Sequence, residues 1–212
     1  MRIGIYGGSF NPVHLGHLIV AECCREAARL DRVVFVPAAT PPHKPAEELA
    51  PAQARLDMLT LAAGGHPDFA VSTIELDRGG VSYTVDTLAQ LAADERRAAL
   101  HLILGPDALA SLPTWREPRR ILELATILAV EQEGTDDVTT IVARPELAAI
   151  LSPDAARRII AERVRIPTIG FRASDIRAAR AAGRSIRYRV PRGVECYIAD
   201  HGLYGPPAVS RP

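Results

Sequence analysis

Two histidines three residues apart follow the first apolar segment of the chain, within the stretch GGSFNPVHLGH at positions 7–17. At the start of a helix His14 and His17 would share one face, and Gly16 between them adds no side chain. A helix start also offers unpaired N–H groups and the positive end of the helix dipole, which favour anions. The pattern therefore predicts a phosphate site. The alternatives are two packed core histidines or a zinc pair, and zinc would need a third ligand that this helix is not spaced to supply.

A second stretch whose residues could do chemistry is TPPHKP at positions 40–45. Of the 25 basic residues, 24 are arginine and only Lys44 is lysine. A lysine is a compact charge on a flexible stem, whereas arginine is a planar fork suited to fixed contacts. A lysine between prolines therefore suggests a loop that follows a moving phosphate. The alternative is that an arginine-rich composition alone explains it.

The elements that must position these residues alternate between strands and helices. Short apolar, β-branched runs predict strands at 2–8, 32–37, 69–76, 99–105 and 125–130. Leu-, Ala- and Arg-rich stretches predict helices at 15–30, 51–63, 84–93, 153–163, 173–182 and 192–199. This alternation predicts a Rossmann-like, doubly wound parallel α/β sheet with a mostly helical C-terminal part. In such a sheet, ligands bind beyond the carboxyl ends of the strands.

Composition limits the possible classes of protein. A chain of 212 residues that is 48% hydrophobic can bury one substantial core, which predicts one domain over 1–204 and a flexible tail over 205–212. A net charge of zero argues against a protein that coats nucleic acid or an anionic membrane. No apolar run is long enough to span a bilayer. Cys23, Cys24 and Cys196 form neither a metal knuckle nor a disulfide framework, so we expect reduced thiols in the cytoplasm.

The motifs together resemble one enzyme family. The stretch GGSFNPVHLGH resembles the signature of the HxGH nucleotidyltransferases. Four further stretches resemble the bacterial nicotinate-nucleotide adenylyltransferases within that group: VPAATPPHK at 36–44, SYTVDTL at 82–88, LGPDALASLPTW at 104–115 and VPRGVECYIADHGLY at 190–204. The matches cover nearly the whole chain in the family's order.

The resemblance implies a reaction and a set of residues. ATP and nicotinate mononucleotide would give nicotinate adenine dinucleotide and pyrophosphate by direct in-line attack, with Mg²⁺ arriving on the ATP and no metal ligand from the protein. His14, His17 and Lys44 would be catalytic, with His17 at the α-phosphate. The implied ATP contacts are Gly7, Gly8, Ser9, Phe10, Gly105, Asp107, Ser174 and Arg177. The implied acceptor contacts are Tyr83, Thr84 and Trp115.

Some of these residues have plainer alternatives. Asp107 could be the N-cap of the following helix. Trp115 could be an ordinary core anchor instead of a stacking platform for the nicotinate ring. The oligomeric state is left open.

Two segments depart from the family pattern. The family usually has Arg-Pro-Gly where this chain has Glu131-Gln-Glu-Gly134, and Ser-Ser-Thr where it has Arg172-Ala-Ser174. We expect the 131–134 segment to be a displaced, solvent-facing loop, and Arg172 to supply a phosphate contact or a surface ion pair. The departures keep two alternatives open. One is an adenylyltransferase acting on nicotinamide mononucleotide, and the other is a nucleotide-binding paralogue without turnover.

Overall fold

The computed structural model describes residues 1–40, 49–132, 134 and 136–205. Within that part of the chain six strands form one sheet in the order β3-β2-β1-β4-β5-β6, and every neighbouring pair is parallel. The strands are β1 (Arg2–Gly8), β2 (Arg32–Pro37), β3 (Phe69–Val71), β4 (Ala99–Leu104), β5 (Thr126–Gln132) and β6 (Val164–Ile166). The predicted doubly wound parallel sheet is confirmed.

Helices connect these strands and cover the sheet. The described residues contain α1 (Leu15–Ala27), α2 (Ala52–Ala63), α3 (Ile74–Arg78), α4 (Thr84–Asp94), α5 (Pro106–Ser111), α6 (Pro118–Leu124), α7 (Val138–Val142), α8 (Pro145–Ala148), α9 (Pro153–Ala161), α10 (Ala173–Ala181) and α11 (Arg192–Asp200). A short 3₁₀ turn, Leu112–Thr114, follows α5. None of the helices in the described ranges is long and apolar enough to cross a membrane.

The sheet separates two cores, because side chains along a strand alternate between its faces. On β2, Val34 and Val36 belong to one buried cluster, and Val33 and Phe35 belong to the other. The first cluster includes residues of α4 to α7 and α9, and the second includes residues of α1, α2, α10 and α11. Burial on both faces explains why these strands read as nearly continuous apolar runs.

The order of the strands places a ligand crevice between β1 and β4. From β1 the chain moves outward to β2 and β3, and it then returns to the other side of β1 to form β4. Ile5 of β1 lies beside Leu102 of β4, and continuing this register places Gly8 level with Gly105. The two predicted glycine segments therefore meet at the point where the strand order reverses, where such folds bind ligands.

Two strands differ from the prediction. The strand predicted at 69–76 ends at Val71, and residues 74–76 of that stretch belong to α3 instead. The Thr73 hydroxyl donates to the Asp77 carboxylate at 2.7 Å, a local contact that favours a turn of helix over an extended chain. Strand β6 was not predicted, because its three residues include the exposed Arg165 and give no apolar run. The single-domain boundary at 204 stays a prediction, and residues 206–212 lie outside the described ranges.

Candidate active site

The two histidines of the first motif lie against each other at the start of α1. His14 precedes the helix, His17 lies in its first turn, and their ring centroids are 3.8 Å apart. The backbone N–H of His14 donates to Nδ1 of His17 at 3.1 Å. Because Nδ1 accepts this bond, the neutral tautomer of His17 carries its proton on Nε2. The backbone bond thus places the proton of the neutral His17 ring on Nε2.

His14 is the more deeply buried of the two rings. It is 8% exposed, and its Nδ1 has no hydrogen-bond partner within the described part of the chain. Burial lowers the pKa of His14 to about 4, so the ring is neutral near pH 7. A buried polar atom without a partner is rare in proteins and calls for a ligand or water. The described residues contain no group of three or more His, Cys, Asp or Glu that could hold a metal, so nothing there supports a zinc pair.

Glycine is required between the histidines. A Cβ atom added at Gly16 would lie 2.9 Å from both Cε1 and Nδ1 of His14, and 3.0 Å from Cγ2 of Ile169. Such contacts are closer than carbon atoms tolerate, and the ring of His14 is held on its other sides by His17 and Phe171. Any side chain at position 16 would therefore displace the His14 ring.

The histidines open onto a cavity of about 250 Å³. Arg172 also lines this cavity. It is the N-cap residue of α10, which begins at Ala173. The starts of α1 and α10 and one arginine therefore meet at this cavity, a combination that favours an anion. The full lining is Tyr6, His14, Gly16, His17, Val20, Gln132, Ile169, Phe171 and Arg172.

The late basic element reaches the first motif as well. Nη1 of Arg177 donates to the backbone carbonyl of Asn11 at 2.9 Å, across 166 positions of sequence. Ser174 is exposed in the first turn of α10. The side-chain oxygen of Asn11 accepts from the Ala50 N–H at 3.0 Å and from the Tyr204 hydroxyl at 2.6 Å. Asn11 therefore joins three distant segments to the histidine loop.

The ring of Phe10 packs against the ring of His17. The backbone of Phe10 is left-handed, with φ 43°, which a non-glycine residue adopts only when its surroundings hold it. The ring is 2% exposed and lies edge-on to His17, with centroids 5.1 Å apart. Gly7 is different, because a Cβ added there would have no heavy-atom neighbour within 4 Å. The backbone at Gly7 is thus open to close approach, whereas a Cβ at Gly8 would lie 3.2 Å from the Phe10 ring, and a contact of either glycine with ATP stays a prediction.

Arg55 fastens two loops together, and sequence reasoning did not identify it. It is 1% exposed and donates only to backbone carbonyls: Nε to Ala50 at 3.1 Å, Nη1 to Ala38 at 2.7 Å and to Ser9 at 3.0 Å, and Nη2 to Ala39 at 3.0 Å. Burial lowers the pKa of Arg55. A sequence signal did exist, because Arg55 shares the buried face of α2 with Met58, Leu59 and Ala62.

Lys44 lies in the segment between Ala39 and Ala50, two of the residues whose carbonyls accept from Arg55. Lys44 and the rest of its PPHKP stretch lie outside the described residues, so its role stays a prediction. The described flanks are nevertheless fixed, because Arg55 holds Ala39 before the segment and Ala50 after it.

The expected acceptor residues lie at the same edge of the sheet, on its other face. Tyr83 caps α4, Thr84 begins that helix, and Tyr83 and Trp115 both pack against the core cluster on the α4 side. The guanidinium of Arg116 lies 4.8 Å from the centroid of the Tyr83 ring. The indole N–H of Trp115 donates to the Ser111 hydroxyl at 3.2 Å, which fixes a partly exposed ring. The structure therefore brings the 112–117 segment to the start of α4.

Asp107 is not a helix cap. Gly105 caps α5, and Asp107 is the second residue of that helix with an exposed side chain. The capping alternative is therefore wrong, and a contact of Asp107 with ATP stays a prediction.

The predicted solvent-facing loop at 131–134 is wrong at Glu131. This residue belongs to β5, and its side chain is 14% exposed. Nε of Arg165 at 2.9 Å and Nε of Arg163 at 3.1 Å pair with the Glu131 carboxylate, and the Arg165 bond is the largest cause of its lowered pKa. The charge is therefore balanced by arginines instead of being displaced. Glu133 lies outside the described residues, and Gly134 is an exposed turn with φ 84°.

Comparisons with known proteins identify the family of the chain. The cytidylyltransferase-like family model matches residues 5–179. A protein of Thermomicrobium roseum named as a probable nicotinate-nucleotide adenylyltransferase is 48% identical, over 96% of this chain and 91% of its own. One of Thermus thermophilus with the same name is 44% identical, over 96% of this chain and all of its own.

A solved structure is similar in fold. The Plasmodium falciparum nicotinic acid mononucleotide adenylyltransferase complexed with NaAD has a TM-score of 0.71 and 16% identity, covering 96% of this chain and 97% of that chain. At this identity the likeness supports the architecture. The family match and the two close relatives go further: the chain belongs to the cytidylyltransferase-like family and, within it, to the nicotinate-nucleotide adenylyltransferases.

Proposed function

We propose that the protein transfers the adenylyl group of ATP to nicotinate mononucleotide, releasing pyrophosphate and forming nicotinate adenine dinucleotide. One observation carries this proposal. The adjacent rings of His14 and His17 line a cavity together with Tyr6 of β1 and Arg172, and Nδ1 of His14 is buried without a partner in the described ranges. This arrangement fits a polyphosphate.

The chemistry is an in-line displacement. A phosphate oxygen of nicotinate mononucleotide bonds to the α-phosphorus of ATP, and the bond from that phosphorus to the bridging oxygen of the β-phosphate breaks. Pyrophosphate leaves with the electron pair. The protein forms no bond to the substrate, so its task is to hold the groups in line and to balance the charge on the α-phosphate oxygens.

The phosphate side of the site has donors of two kinds. His17 offers Nε2–H to the α-phosphate, where charge grows in the transition state. Arg172 and Arg177 supply positive charge from α10, and the backbone of residues 7–10 lines the nucleotide. Gly105 and Asp107 follow β4, where the Asp107 carboxylate would accept hydrogen bonds from the ribose hydroxyls. Lys44 is proposed to follow the departing pyrophosphate.

The acceptor side suits a ring that carries a carboxylate. Trp115 would stack on that ring, and the N–H groups of Tyr83 and Thr84 at the start of α4 would receive the carboxylate. Arg116 adds a positive charge beside Tyr83. The uncharged carboxamide of nicotinamide mononucleotide would gain much less from these groups than the carboxylate of nicotinate mononucleotide does.

The remaining parts of the proposal concern Mg²⁺ and location. Mg²⁺ commonly binds to substrate phosphates with few protein ligands. A site without a protein metal cluster in its described part is compatible with Mg²⁺ that enters as part of MgATP. We place the enzyme in the cytoplasm, where ATP is supplied and where thiols such as Cys23 and Cys24 stay free.

Pyrophosphate release with each candidate acceptor tests the function. Loss of a charged hydrogen bond costs about 1.5–3 kcal/mol, so kcat/KM for nicotinate mononucleotide should exceed that for nicotinamide mononucleotide by more than about tenfold. Equal values would refute the nicotinate assignment but keep adenylyl transfer. Release with neither acceptor, despite ATP binding, would favour a paralogue without turnover.

A further inference from the structure

The side chain of Tyr204 reaches the loop that carries the histidine pair. Its hydroxyl donates to Oδ1 of Asn11 at 2.6 Å, across 193 positions of sequence. Asn11 lies between β1 and His14, and it is 3% exposed. Because a buried acceptor that loses its donor costs free energy, this bond fixes the end of the chain against the histidine loop.

Tyr204 is itself held in place, so its hydroxyl points to a fixed acceptor. Its backbone is left-handed, with φ 55°, and the residue packs against the core cluster that contains Phe10 and Val13. A non-glycine residue adopts such a backbone when its surroundings hold it. Burial raises the pKa of the Tyr204 hydroxyl, so the group stays protonated and remains a donor near pH 7.

Oδ1 of Asn11 also accepts a second bond, from the backbone N–H of Ala50 at 3.0 Å. Ala50 follows the stretch that contains Lys44, and its carbonyl accepts from Nε of Arg55 at 3.1 Å. One carboxamide oxygen thus lies between the histidine loop and the described end of the Lys44 segment. Both segments contain residues that the proposed reaction uses.

Two other residues of the C-terminal part hold the same loop through its backbone. Nη1 of Arg177 donates to the Asn11 carbonyl at 2.9 Å, and the Arg189 carbonyl accepts from the Leu15 N–H at 2.9 Å. Tyr204 differs from them because it holds a side chain of the loop. Its bond can therefore be removed by taking away one oxygen atom, with both backbones unchanged.

We propose that Tyr204 is a positioning residue that sets the geometry of the histidine loop through Asn11. The inference rests on the proposed function. Tyr204 acts on the loop and not on either substrate, so its loss displaces Nε2 of His17 from the α-phosphate of ATP. A displacement of about 1 Å can cost on the order of 10²-fold in rate, and we expect about a tenfold loss from this single bond.

Pyrophosphate release by Tyr204→Phe measures the effect. The value of kcat should fall about tenfold. KM for nicotinate mononucleotide should stay within about twofold of wild type, because Tyr83 and Trp115 pack against the other core cluster.

Tyr197→Phe is the matched control. The Tyr197 hydroxyl donates to Oδ2 of Asp57 at 2.7 Å and joins α11 to α2, so the two variants each lose one tyrosine hydrogen bond of the C-terminal part. Tyr197→Phe should keep kcat within about twofold of wild type. Titration calorimetry with a non-hydrolysable ATP analogue counts the binding sites per chain, so that kcat is compared per folded site.

A double-mutant cycle tests whether Tyr204 acts through Asn11. Asn11→Ala removes the acceptor and should lower kcat by about tenfold or more. Adding Tyr204→Phe to Asn11→Ala should then change kcat by less than about twofold, because the bond is already absent. If Asn11→Ala does not fold, the comparison of the two tyrosine variants still decides the proposal.

A spectroscopic measurement needs no turnover. NMR spectra that correlate ring protons with ring nitrogens report the tautomers of His14 and His17, and the signals are assigned by their loss in His14→Gln and His17→Ala. Tyr204→Phe should shift the signals of both rings, because the bond from the His14 N–H to Nδ1 of His17 lies in the loop that Asn11 anchors. Tyr197→Phe should leave them in place.

The outcomes are distinct. An unchanged kcat in Tyr204→Phe, or equal losses in the two tyrosine variants, overturns the proposal. A further loss when Tyr204→Phe is added to Asn11→Ala also overturns it, because Tyr204 would then act by another route. Wild-type protein that binds the analogue but releases no pyrophosphate would instead contradict the proposed function, and the histidine spectra would still decide whether Tyr204 sets the loop.

Discussion

The clamp made by Arg55 supports the most demanding prediction. Arg55→Met keeps most of the buried aliphatic volume but removes all four donors to backbone carbonyls. The loops that these bonds hold contain Ser9 on one side and Ala39 and Ala50 on the other. We therefore expect losses in both the free energy of unfolding and the binding of ATP.

The size of the loss follows from the bonds. A hydrogen bond from a charged donor contributes about 1.5–3 kcal/mol, which for four bonds exceeds what single substitutions usually cost. The buried guanidinium also carries a desolvation cost that its removal relieves. We expect Arg55→Met to lower the free energy of unfolding by about 3–5 kcal/mol. Arg55→Lys keeps the charge but not the fork, and should lose about 2 kcal/mol.

Urea denaturation at pH 7 measures the stability, and pyrophosphate release measures KM for ATP. Arg120→Met is the matched control, because Arg120 forms an exposed pair with Glu123, and its loss should cost less than about 1 kcal/mol. In Arg55→Lys, which should remain folded, KM for ATP should rise more than KM for the acceptor. If Arg55→Met were within 1 kcal/mol of wild type, the four bonds would not hold these loops together.

Two predictions concern the histidine pair. His17→Ala should keep the fold but lower kcat by about 10²–10³-fold, the usual cost of one transition-state donor, and a variant with more than a third of wild-type turnover in the pyrophosphate assay would exclude His17 from the mechanism. For His14, burial lowers the pKa to about 4, so the unfolded chain binds more protons than the folded one between about pH 4 and 6.5, and stability must fall as pH drops through that window. Between pH 7 and pH 5, urea denaturation should show wild type losing about 2 kcal/mol more than His14→Gln, and identical losses would mean that His14 is not held neutral by the fold.

Local pattern was sufficient for much of the architecture. Strands β1, β2, β4 and β5 could be predicted because each is an apolar run bounded by glycine, proline or charged residues, and burial on both faces demands such a run. The histidine pair and its glycine could also be predicted, because residues three apart on a helix share a face whatever the rest of the fold does. The position of the site followed from strand alternation alone.

Other features depended on contacts between distant parts of the chain. Glu131 was expected to be displaced because the sequence shows its charge but not its partners, and Arg163 and Arg165 reach it only after β6 pairs with β5. Strand β6 itself is too short to give a periodic signal, and it exists because the edge of β5 offers it hydrogen bonds.

The candidate site contains both kinds of feature, those that the sequence predicts and those that depend on distant contacts. The residue types and spacing at 7–17 were enough to predict a phosphate site near the first strand. Only the tertiary structure decided what keeps that loop in place: Arg177 reaches Asn11 across 166 positions, and Tyr204 reaches it across 193. A backbone carbonyl has the same form in every residue, so the bonds that Arg55 and Arg177 make to carbonyls leave no mark in the sequence of their acceptors.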